Sequence, residues 1–195
     1  MNSTTTIDNI DTLIDAYKQA RRNEGAGKTD AAWLTPIIKE WVAILGGADA
    51  GIAWQDKAAA AMNVTLSIRD AMLVAAIDRS LNVEQLTGLA VNPHSAANRA
   101  LMEHVLTKVF EDPAMKPEHE RMARAAEQFT RIADRCNGVA SAQPIAAAAY
   151  IEWWNGDTDA AAIHAILAAS LDEDANLALM VAGAIGRGIK PAYLR

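Results

Sequence analysis

The sequence predicts an all-α protein: one domain spanning 1–195, built of roughly eight helices stacked as hairpins. Three observations carry this. Alanine is abundant and β-branched runs are short, which favours helix over strand. Apolar residues recur three and four apart, and no segment alternates with period two. Glycine, proline and asparagine cut the chain into helix-length pieces.

The first helix is predicted from about Thr6 to Asn23, with Ile7, Ile10, Leu13, Ile14 and Tyr17 on one stripe. Arg21 and Arg22 suit its last turn, and Gly25 is its C-cap. The second is predicted to begin after Asp30 or at Thr35-Pro36, because aspartate and threonine cap well and proline fits the first helical position. Its apolar face is Ile37, Ile38, Trp41, Val42 and Leu45, and Gly46-Gly47 ends it. A third covers about Ala53 to Met62. Asn63 to Leu66 breaks the pattern, and Ser67 caps the helix that follows.

Val83 to Leu89 is a short helix closed by Asn92-Pro93. Ser95 to Phe110 turns Leu101, Val105, Leu106 and Val109 inward. Pro113 and Pro117 mark the one candidate sub-boundary, near 112–117. In the helix from Pro117 to Cys136, Met122, Phe129 and Cys136 recur every seven residues, with Ala125, Ala126, Ile132 and Ala133 in the same seam. Asn137-Gly138 stops it. Three helices close the chain: Pro144 to Asn155, Thr158 to Leu171, and Asp174 to Gly186. Their alanines let helix backbones approach closely. Gly156 allows a sharp reversal, Asp157 or Thr158 caps the next helix, and Asp174 caps the last.

The formal net charge is −6, the wrong sign for the basic footprint of a nucleic-acid-binding domain. Cys136 is the one cysteine, which rules out an internal disulfide. The first residues lack a basic n-region and an apolar core, and no apolar run approaches the ~20 residues that span a bilayer. A cytoplasmic protein with no membrane partner is expected.

Motif fragments dissolve on inspection. "NEGAGKTD" ends like a phosphate loop, but Arg22 stands where the first glycine is required and a helix, not a strand, precedes it. "HERMA" begins like a zinc-protease helix, but Ala123 replaces the second histidine. His94, His104, His119 and His164 have no metal-set spacing, and no cofactor is expected. Cys136 reads as an inert thiol on the apolar seam. The Arg121–Arg135 face is an alternative nucleic-acid surface. Glu120 and Glu127 stand four residues before Arg124 and Arg131, however, so a self-neutralised, solvated face is preferred. A second alternative is an enzyme using Arg69, Asp70, Glu103 and His104. Of the five tryptophans, one is expected to show an edge to solvent. Trp153 and Trp154 point about 100° apart on their helix, so one of them can meet a partner. The expected partner-binding residues are Trp153, Trp154 and Asp157.

The tail resembles the C-terminal part of a family of actinobacterial proteins of unknown function, also found in their phages. The matching residues are Trp153 or Trp154, Gly156-Asp157, Ala161, Leu171, Asp174, Leu177, Leu179, Gly188 and Pro191. Upstream, Arg69, Asp70 and Leu73 are similar to the family's short R-D-x-x-L helix. The tail also looks like one tetratricopeptide-type hairpin. Ala175 replaces the family's usual turn proline. Family members are usually longer, with a strand-rich N-terminal half, and an activity residing there is not expected of this chain. The resemblance implies a helical fold and a phage or bacterial source. The functional expectation is a non-enzymatic protein–protein interaction module that binds a bacterial protein or itself.

Overall fold

The computed structural model describes the backbone of residues 3–195 and the side chains of residues 10–195. Ile7, predicted to share the first apolar stripe, lies outside the described side chains. The described chain is all-helical: α1 Ser3–Glu24, α2 Ala26–Leu45, α3 Ile52–Met62, α4 Ser67–Ile77, α5 Val83–Val91, α6 Ala96–Glu111, α7 His119–Ala133, α8 Ala142–Asn155, α9 Thr158–Leu171 and α10 Asn176–Gly186. Short 3-10 turns cover Gly138–Ser141 and Ala192–Leu194. The described helices number ten, somewhat more than the expected eight. Asn82 and Gln85 close α5 at its start with a reciprocal capping box. No helix among the described residues is long and apolar enough to cross a membrane.

The helix order splits the molecule into two packing styles. In the first half, α2 is the hub, meeting α1, α3, α4, α5 and α7. In the second, α7, α8, α9 and α10 each pack on the next in sequence, as hairpins do. One apolar core runs from Ile10 to Val181 and joins Val109 to Met122 across 112–117. Trp41 anchors it. The ring is fully buried, lies parallel to Trp54 at 5.9 Å and tilts against Phe129 at 5.2 Å. Its Nε1 donates to the Met72 carbonyl on α4 at 2.9 Å, so the polar tip of a buried indole is satisfied.

The junction at "NEGAGKTD" is one helix ending and another beginning. Gly25 alone separates them, with φ at 84°, a conformation that glycine adopts freely. The start of α2 corrects the sequence reading. Thr29, Asp30 and Pro36 lie inside the helix, and Thr29 and Asp30 are buried. Asp30 does not cap. It accepts a hydrogen bond from the Tyr17 hydroxyl at 2.8 Å and pairs with Arg21 at 3.0 Å, stapling α2 to α1. Pro36 is tolerated because it and Ala32, whose carbonyl it deprives of a donor, both face solvent. Asp174 is corrected too. The residue before α10 is Ala175, which makes no side-chain cap, and Asp172 instead accepts from the Asp174 amide at 3.0 Å.

Candidate interaction surface

The tail hairpin begins as its residues predict. Gly156 reverses the chain at φ 90°, and a Cβ there would sit 3.1 Å from the Tyr193 hydroxyl. Asp157 is exposed and caps α9, accepting from the Ala160 amide at 3.1 Å. Helix α9 then carries no charged residue between Asp159 and Asp172 apart from the titratable His164. Its inner positions are alanines: Ala161, Ala165 and Ala168 are fully buried, Ala161 and Ala165 in the main core. Its large residues are on the outside. Ile163, Ile166 and Leu167 share one stripe and are 66%, 66% and 44% exposed. On α10, Leu179 and Met180 are exposed while Ala178 and Val181 are buried. Ten large apolar side chains are exposed among the described residues, and seven of them fall between Ile163 and Leu194. The exposure is concentrated in the tail, and such clusters mark interaction sites more often than scattered leucines do.

Trp153 and Trp154 are not part of this surface. Both are buried, at 3% and 0% exposure, and the expectation that one of them meets a partner is corrected. Helix α8 is enclosed by α4, α7, α9 and α10, so turning 100° between neighbours moves a ring from one packed side to another. Trp153 donates from Nε1 to the Ile189 carbonyl at 3.2 Å, and Trp154 meets the edge of Tyr193 at 5.3 Å. Trp33 is the tryptophan left half-exposed, stacked on Tyr17 at 4.5 Å. Asp157 remains accessible beside its capping role.

His164 sits on the α8–α9 joint, with Nδ1 2.7 Å from a Glu152 oxygen. That hydrogen bond raises its pKa above the ordinary histidine value, against the lowering effect of burial. It is a satisfied structural histidine. Among the described residues no cluster of three or more His, Cys, Asp or Glu is placed to hold a metal.

All four arginines on α7 and its extension have partners in the fold, Arg124 donating to the Leu45 carbonyl at 3.5 Å. Arg121 donates to the carbonyls of Ala75 and Ala76 at 2.7 and 3.1 Å and to that of Leu45 at 3.4 Å. It thereby closes the C-terminal ends of both α2 and α4. Arg131 pairs with Glu127 at 2.6 Å, and Arg135 with the buried Asp56 at 2.6 Å. Arg124 faces Glu120 at 3.9 Å. This is the self-neutralised face that the spacing predicts. The role of Arg121 as a double helix clamp has no signature in the sequence, because its acceptors lie 45 residues and more away.

The four residues of the enzyme reading are only partly gathered. Arg69 pairs with Asp70 at 2.6 Å and donates to Gln143. Asp70 and Glu103 line one shallow groove with Arg99, while His104 is exposed and does not line it.

Compared with protein families, curated proteins and solved structures, this chain finds no match. The reading of its surface therefore rests on its own geometry.

Proposed function

We propose that this chain is a non-enzymatic helical interaction module that docks a partner protein on the outer side of α9 and α10. The observation that carries this is the exposed stripe Ile163, Ile166 and Leu167. A helix that is apolar on nearly every side belongs inside something, and the fold covers only the alanine side of this one. The surrounding charge favours a partner over a second copy. From Asp157 to Gly186 the chain carries Asp157, Asp159, Asp172, Glu173 and Asp174 and no lysine or arginine. An apolar segment flanked by basic residues complements that surface, whereas two copies would bring acids together. The resemblance of the tail to actinobacterial and actinophage proteins makes a bacterial protein the partner to seek first.

The test is capture from an actinobacterial lysate, followed by titration of the recovered protein at low and high salt. The expected result is a single partner lost with Ile166→Glu and weakened by salt. A partner retained by Ile166→Glu places docking elsewhere, and recovery of this chain alone speaks against a protein partner and for self-association or a small-molecule role.

A further inference from the structure

A cavity of about 250 Å³ lies between α4, α6, α8 and α10, walled by Leu73, Leu106, Phe110, Tyr150, Leu177 and Met180. Helix α6 roofs it and is thinly seated. Of its sixteen residues only Val105 and Val109 are fully covered, whereas α2 buries six large apolar side chains and α8 is buried along most of its length. Leu101, Met102, Leu106 and Phe110 touch the core and stay partly open. The polar ties are at one end. Asn98 donates from Nδ2 to the carbonyls of Gly88 at 2.9 Å and Asn92 at 2.8 Å, which pins the first turn of α6 to the end of α5. Among the described residues, no ion pair and no other side-chain hydrogen bond joins residues 96–111 to another helix. At the far end the Phe110 ring leans on Trp153 at 5.3 Å, and the irregular stretch 112–118 follows.

Lifting α6 breaks no ion pair, uncovers two valines fully and four side chains in part, and starts from a seat that already holds empty space. Atoms that line a void have lost contacts on that side, and an element with few buried apolar contacts opens at a lower free energy than the whole molecule. We propose that α6 is a hinged strap. It swings out from α4, α8 and α10 about its Asn98 end, with Phe110 on Trp153 as the catch and 112–118 supplying the slack, while the other helices stay folded. Off the core, a helix of sixteen residues is marginal in water, so its backbone amides lose protection each time it lifts. Met180 belongs to the wall of the space beneath and is 62% exposed on α10. Lifting therefore joins the groove of Leu73, Tyr150 and Leu177 to the outer side of α10 and lengthens the apolar surface offered there. The lifting itself does not rest on the docking reading.

The experiment is hydrogen exchange of the full chain at rising, sub-denaturing urea, read by mass spectrometry of peptic fragments. Amides of residues 101–111 are expected to exchange about a hundredfold faster than those of α2 and α8. Their urea dependence is expected to be shallower, because lifting exposes less surface than unfolding. Phe110→Ala, which removes the catch, is expected to speed the α6 amides about tenfold and to leave α2 and α8 unchanged. Asn98→Ala, at a partly exposed position, is expected to speed the same amides about fivefold through its lost hydrogen bonds. Equal protection of α6 and α2, or one urea slope for both, overturns the strap. A rise shared by all helices in both variants overturns it as well, since α6 then opens only with the whole. Unchanged α6 exchange in Phe110→Ala overturns the catch.

Discussion

Around Trp41 the helices are spaced by large rings, while around Ala147 they close on methyl groups. In the first region the amphipathic rule holds: Ile37, Ile38, Trp41 and Ile44 of α2 face inward and Lys39 and Glu40 face solvent. In α9 the rule is inverted by size. Alanines face α8, and isoleucine and leucine face out. Both regions bury apolar surface, but α9 does so with its alanines and leaves its largest side chains outside. The difference separates what the fold requires from what it leaves over, and the surplus on α9 is the basis for the docking proposal.

The comparison breaks most visibly at its aromatic end. Trp41→Ala is expected to cost about 3–5 kcal/mol in urea unfolding, the range for truncating a fully buried large ring. A cost under about 1 kcal/mol would mean that the ring cluster does not anchor the core. At the alanine end the sign of the volume change reverses. Ala165→Leu adds bulk where α9 approaches α8 and is expected to destabilise by about 1–3 kcal/mol in the same assay. On the outer stripe, Ile166→Ser is expected to change stability by no more than ~0.5 kcal/mol while weakening partner capture. A loss of several kcal/mol would show that the stripe belongs to the core.

The smallest effect concerns the joint between α8 and α9, where His164 meets Glu152. The folded pKa of His164 is raised, so the contribution of the pair is fully present below the unfolded histidine value of about 6.5. It is lost as pH rises through the higher folded value. The stability difference between wild type and His164→Gln should therefore shrink between pH 6 and pH 9. Partial exposure of the pair keeps the effect small, and a difference that grows with pH would contradict the assignment.

Local punctuation made some of this legible in advance. The bounds of α9 read correctly because Gly156, Asp157 and Asp172 bracket it with strong signals. The start of α2 did not, because Thr29, Asp30 and Pro36 imitate a beginning. Only the tertiary partners Tyr17 and Arg21 reveal what Asp30 does. The tryptophan pair failed for a related reason. Sequence fixes the angle between adjacent side chains, but not how many neighbours surround the helix that carries them. The docking stripe left a faint signal, since Ala160 to Leu171 lacks a continuous polar face. Which side would be covered depended on α8. The cavity between α4, α6, α8 and α10 left none, because it is a property of four helices meeting.

Cys136 turns one corner of this architecture into a pH-dependent reporter. The thiol accepts from Asn63 at 3.9 Å and donates to the Ile132 carbonyl at 3.6 Å, and burial pushes it up to about 11. At pH 7 roughly one molecule in ten thousand then carries the reactive thiolate. Cys136 is only partly covered, so its reaction with a thiol reagent is set by the scarce thiolate and rises with pH.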